Sequence, residues 1–156
     1  MKRILVSIAL FCAGVAAAGE KKIARTDVPQ PVLAALAKHF PSAKQLAFAR
    51  EQEHGKVIFE AELQDGARRL DVDVTPEGKL AAVEETIAFD AAPEAVRKGV
   101  AASKYAKFTV TKAEKVQSFE DDKVASTAYE FVVKAKNQKV EIVLDEAGKI
   151  VKEEPK

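Results

Sequence analysis

The strongest constraint on how this chain folds is a pattern that occurs twice. Residues 57–85 read as two strands joined at Asp65-Gly66, then a third strand after Thr75-Pro76-Glu77-Gly78. The same order returns about 70 residues later. Phe59-Glu60 comes back as Tyr129-Glu130, Arg69-Leu70-Asp71-Val72 as Lys139-Val140-Glu141-Ile142, and Gly78-Lys79-Leu80 as Gly148-Lys149-Ile150. A pattern repeated at this spacing implies one supersecondary unit built twice.

Inside the pattern, hydrophobicity has period two. Val57, Phe59, Ala61 and Leu63 share one face, while Ile58, Glu60 and Glu62 share the other. That alternation belongs to an antiparallel strand with one face on a core. Asp65-Gly66 accepts positive φ and marks a tight hairpin. Leu70, Val72 and Val74 continue the core face, with Arg69, Asp71 and Asp73 opposite. Thr75-Pro76-Glu77-Gly78 fits a type I turn, and a last strand runs from Lys79 to about Ile87. In the second copy Tyr129, Phe131, Val133, Val140, Ile142 and Leu144 take the core face. Lys136-Asn137 stands at the hairpin, and Asp145-Glu146-Ala147-Gly148 repeats the type I turn.

A short helix precedes each copy. Asp27 and Pro29 suit a helix start, Val32, Leu33, Leu36 and Phe40 form one apolar stripe, and Pro41 stops it. Ala91-Ala92-Pro93 begins again, with Val96 and Val100 answering Val32 and Leu36, and that helix ends near Ser103 to Tyr105. Between helix and pattern lie Gln45 to Glu51, with Leu46 and Phe48 on one side, and a longer strand region from Phe108 to Phe119. Pro29 and Pro93 are 64 apart whereas Gly78 and Gly148 are 70 apart, so the second copy carries six extra residues. They fall in its first hairpin, around Glu120 to Lys123, which is either a protruding contact or a loop of variable length. The expected fold class is α+β: a tandem repeat of a helix followed by a four-stranded antiparallel sheet, with the helices packed on one sheet face. The units span residues 28–90 and 91–154. Two such units can join edge to edge, or pair helices, to make a larger sheet with helices on one side and the other face open to solvent or to a partner.

The first 18 residues stand apart. Met1-Lys2-Arg3 is positive, Ile4 to Val15 is mostly apolar, and Ala16-Ala17-Ala18 precedes Gly19. This is the layout of a secretory signal peptide cleaved near Ala18, with an uncleaved anchor as the alternative. Residues 19–27 read as a flexible leader. Cleavage removes Cys12, the single cysteine, and loss of Lys2 and Arg3 takes the formal charge from +1 to −1. Near-neutral charge argues against a nucleic-acid partner, and no stable membrane insertion is expected after signal removal. A periplasmic or secreted location follows.

Val28-Pro29, Val32, Phe40-Pro41 and Ala43, followed by the Glu60 strand and the Gly78-Lys79-Leu80 strand, resemble the PepSY-like domains of bacterial exported proteins. Those domains are grouped with the β-lactamase-inhibitor-protein fold. The likeness runs from about Val28 to Glu154 as two copies, with Tyr105 where Pro41 stands in the first. The resemblance implies a periplasmic or secreted, non-catalytic module that binds proteins.

The residues themselves supply little for catalysis. Ser42, Ser103, Ser118 and Ser126 sit in no nucleophile motif. His39 ends a helix and His54 lies in an expected turn, and two isolated histidines make no zinc site. No enzyme activity, cofactor or metal is expected. Glu60, Glu62, Asp71 and Asp73 share the non-core face of adjacent strands, with Arg69 and Lys79 on the same side. That cluster is either a salt-bridged solvated face or a site for a cation or small ligand. The candidate binding face comprises Ile58, Glu60, Glu62, Arg69, Asp71, Asp73 and Val83 in the first copy, and Glu130, Val132, Glu141 and Val143 in the second. Apolar patches within a charged rim fit recognition or inhibition of a periplasmic or secreted protein; an ordinary exposed sheet face is the alternative.

Overall fold

The computed structural model describes residues 21–53 and 55–156. The expected signal peptide, its expected cleavage point and the expected turn at His54 lie outside the described residues. The chain forms β1 (Lys21–Lys22), α1 (Gln30–His39), β2 (Lys44–Glu53), β3 (Lys56–Asp65), β4 (Arg68–Val74), β5 (Leu80–Thr86), α2 (Glu94–Ala101), β6 (Thr109–Glu120), β7 (Lys123–Ala135), β8 (Gln138–Asp145) and β9 (Ile150–Pro155). All nine strands join one antiparallel sheet in chain order.

This corrects the expected fold class. The chain is not a pair of helix-plus-four-strand units but a single, mostly β sheet carrying two short helices. The join lies between β5 and β6, where Ala82 pairs with Ser118 and the register runs to Thr86 with Glu114. Two separate sheets would each leave an edge of unpaired N–H and C=O groups at this place, and pairing satisfies both. Lys21–Lys22, expected in a flexible leader, pairs with Arg50 and Ala49 as a short edge strand.

Both helices pack on the same face of the sheet. Val32, Ala35 and Leu36 of α1 join Phe59, Ala61, Leu63, Leu70, Val72 and Val74 in one buried cluster. Val96 and Val100 of α2 join Tyr129, Phe131, Val133, Ile142 and Leu144 in a second. Helices of 10 and 8 residues are marginal alone, so this docking holds them. Gly99 lets α2 approach closely: a Cβ there would meet the backbone of Gly148, whose φ of +82° closes the β8–β9 turn. In that turn the Gly148 N–H donates to the Asp145 carbonyl at 2.9 Å. The equivalent Gly78 N–H donates to Thr75 at 2.8 Å, as the two turn motifs predict.

Two local details depart from simple alternation. A bulge between Gln45 and Ala47 turns Leu46 out, 42% exposed, while Phe48 stays buried in the first cluster. The long β6–β7 hairpin closes on Asp121-Asp122, both at positive φ. Its tip folds against the first half, with Asp122 2.9 Å from Lys38 and 3.7 Å from His39, and Asp121 3.6 Å from Lys79. The Lys38 ammonium holds the Asp122 carboxyl below the usual carboxylate range. Among the described residues no helix is long and apolar enough to cross a membrane.

Candidate functional site

By register Asp65, Arg68, Glu85 and Lys115 fall on the helix side, while the opposite sheet face carries a larger acidic set. Antiparallel registry places them side by side. Glu60 faces Asp73, and Glu62 faces Asp71, across β3 and β4. Asp71 faces Glu84 across β4 and β5. Glu114 faces Glu130 across β6 and β7, and Glu141 faces Glu154 across β8 and β9. Directly opposed side chains lie about 5 Å apart, so the face is a band of close carboxylate pairs, interrupted where Glu84 faces Val116, Glu130 faces Val143 and Glu141 faces Val132.

The band is buried, although no helix covers it. Asp73, Glu84, Glu114, Glu130 and Glu141 are all at most 5% exposed. The apolar residues between them, Ile58, Val116, Val132 and Val143, are buried too. The nine-stranded sheet is bulged at Asp73/Val74, Val110/Lys112, Ser118/Phe119 and Val143/Leu144, and each bulge locally increases its twist. The expectation of a solvated open face therefore holds only toward the rim. Glu60, Glu62 and Asp71 are half-buried, and Arg69 is exposed.

Few cations enter this band. Lys112 lies 2.8 Å from Glu114, Lys156 lies 2.6 Å from Glu141, and Lys152 lies 2.9 Å from Glu154. One oxygen each of Glu130, Glu141 and Glu154 is buried with no hydrogen-bond donor, and Glu114 receives charge from Lys112 without well-aligned hydrogen bonds. Burial pushes the Glu130 carboxyl up to about 8, reinforced by the charge and hydrogen bond of Glu141 and by the charge of Glu114. Burial likewise raises Asp71, with the Glu114 and Glu62 charges adding to it. Burial pulls the Lys112 ammonium down, but the Glu114 carboxylate 2.8 Å away and the charges of Glu84 and Glu130 outweigh that and leave it raised. Among the described residues no three His, Cys, Asp or Glu side chains are placed to hold a metal ion.

Ten of the eleven sequence-selected residues lie on this face. Val83 is the exception. It pairs with Val72 and packs in the first helix-side cluster. The bulge at Asp73/Val74 sets Leu80 and Val83 on the core side and leaves Ala82 and Glu84 on the carboxylate face. Glu84, Lys112, Glu114, Glu154 and Lys156 are members that the sequence reading missed. Lys112, Glu114, Val116 and Ser118 alternate with period two, so the signal was present in the region read only as a longer strand.

The fold and this face together define a class. The sequence pattern of the PepSY-like family, described as β-lactamase-inhibitor-like, matches residues 17–82 and again 58–152. The chain belongs to this PepSY-like family. Solved structures share the fold. A Bacteroides uniformis protein of the DUF2874 family aligns at 22% identity with a TM-score of 0.70, covering 81% of this chain and 88% of its own. A BLIP-like protein from Bacteroides fragilis aligns at 23% identity with a TM-score of 0.66, covering 81% of this chain and 86% of its own. A Bacteroides eggerthii protein, provisionally described as periplasmic, aligns at 21% and 0.69, covering 82% and 88%. A search of curated proteins finds no match.

Proposed function

We propose that this chain is an exported, non-enzymatic binding protein that recognises another protein through the carboxylate face of its sheet. The observation that carries the reading is the accessible rim of the band, where half-buried carboxylates and an exposed arginine border a buried acidic interior. A carboxylate taken out of water without full pairing costs several kcal/mol or takes up a proton. Glu114, Glu130 and Glu141 are at most 2% exposed and hold oxygens without donors. Groups this deeply buried are closed to a partner, whereas the half-buried carboxylates Glu60, Glu62 and Asp71 at the rim can take donors and positive charge from one. Exposed Arg69 and half-buried Glu60, Glu62 and Asp71 lie beside buried Ile58, the mixture of charged rim and apolar residue found in recognition surfaces. Family membership supports a binding module and leaves the partner open.

Photo-crosslinking residues placed in the native cell at Glu62 and Asp71, and as a control at exposed Lys98 on α2, test this. Crosslinks to one defined protein from the first two positions, and none from Lys98, are expected. Equal labelling from both faces, or monomer alone under all growth conditions, refutes it. A cation or small-ligand site is the second reading, favoured by a cavity of about 350 Å³ lined by Glu60, Glu62, Asp71 and Glu114 with Arg69 and Lys112. Calcium calorimetry decides it: no heat, and no change of melting temperature on chelation, eliminates the cation, because a ligand of the folded state must stabilise it.

A further inference from the structure

Beyond the carboxylate band, the β7–β8 end of the sheet has the opposite character. Two adjoining cavities, of about 970 and 580 Å³, share Phe108, Asn137 and Gln138. Lys107, Lys134 and Lys136 line the first, while Lys104, Lys139 and Lys156 line the second. No Asp or Glu among the described residues lines either. In a chain with 24 acidic and 25 basic residues, six lysines around two cavities without one carboxylate is a marked separation of charge. Lys104 and Lys156 pair with carboxylates outside the linings, Glu153 and Glu141, at 2.6 Å each. Lys107, Lys134, Lys136 and Lys139 form no ion pair among the described residues.

The other half of the sheet shows that the backbone does not demand this. Its equivalent hairpin, β3–β4, turns at Gly66 with φ +61°. There Arg68 is neutralised by Glu85 at 2.9 Å and Asp65 at 3.4 Å. In β7–β8 the turn position is Lys136, at φ +48°. A side chain in the left-handed region is strained, and three further lysines nearby repel it. Phe108 supplies the apolar part of the lining and is fixed edge-on against Tyr105, with ring centroids 5.2 Å apart. The first cavity has the size of a small-molecule site, with an apolar wall and a few convergent charges.

We propose that this cavity binds an amphiphilic anion, one acidic head group joined to an apolar acyl or aryl body. Lys107, Lys134 and Lys136 receive the head group and Phe108 packs against the body. The site is separate from the protein-recognition reading and does not depend on it.

Calorimetric titration of the full chain with dodecyl phosphate below its micellar concentration tests the proposal. One molecule bound per chain is expected, with inorganic phosphate and dodecyltrimethylammonium both failing to displace it. The variant Lys134→Glu/Lys136→Glu should bind about tenfold more weakly, since each lysine near an anionic head group is worth on the order of a severalfold change in affinity. Lys136→Gly, which relieves the turn, should raise the melting temperature while also weakening binding, so lost binding cannot be lost folding. Equal binding of the cationic amphiphile, displacement by inorganic phosphate alone, or unchanged affinity in both variants overturns the proposal.

Discussion

Replacing Glu130 by Gln probes the buried carboxylates directly. Desolvation, the charge and hydrogen bond of Glu141, and the charge of Glu114 push the Glu130 carboxyl up to about 8 from an ordinary 4.5. Between those pH values the folded protein keeps a proton that the unfolded chain has released. Stability is therefore fully present below about pH 4.5 and declines as pH rises through about 8. The decline is about 1.4 kcal/mol per pH unit, or on the order of 5 kcal/mol across the window. A domain has about 5–15 kcal/mol in total, so the effect is large. Gln has nearly the same shape, never ionises, and keeps an N–H donor for Glu141. Glu130→Gln should match the parent within about 1 kcal/mol at pH 5 and exceed it by about 3–5 kcal/mol at pH 8. At about 2–4 °C per kcal/mol for a chain of this length, the melting temperature at pH 8 rises by roughly 10 °C. Urea unfolding followed by far-UV circular dichroism at pH 5, 6, 7 and 8 measures the difference, with equal slopes confirming the same exposed surface. A difference that stays constant from pH 5 to 8 would refute the reasoning, because it would mean that Glu130 holds no extra proton in the folded state.

Lys112→Ala leaves the buried Glu114 without its cation and should cost about 2–3 kcal/mol in urea unfolding at pH 7, short of a fully buried pair because Lys112 is 47% exposed. Adding Glu114→Gln to it should recover most of that loss. Gly99→Ala drives a methyl group into the Gly148 backbone and should destabilise by about 1–3 kcal/mol, seen as a fall in melting temperature. Leu36→Ala opens a cavity beneath α1 and should cost about 2–5 kcal/mol in the same assay.

Much of the helix-side core was legible in the residues. Phe59, Ala61, Leu63, Leu70 and Val72 alternate without interruption, and so do Phe131, Val133, Ile142 and Leu144. Wherever a bulge entered, alternation failed. Leu46 and Val83 were both placed on the wrong side, because one inserted residue reverses every side chain after it. The extra length near Glu120 to Lys123 was legible, but not that its tip closes on Lys38 and His39. That contact spans more than 80 residues of chain and leaves no local trace.

The sequence by itself determined the antiparallel hairpins, the two helix starts, the Gly78 and Gly148 turns and the carboxylates on the strands' second face. These follow from short-range sterics and period-two burial. Only the tertiary structure decided that the strands form one sheet, that Glu114, Glu130 and Glu141 are buried on its carboxylate face, and that lysines gather at one end. Those outcomes depend on the β5–β6 pairing and on accumulated twist, which are sums over the whole sheet and belong to no single stretch of residues.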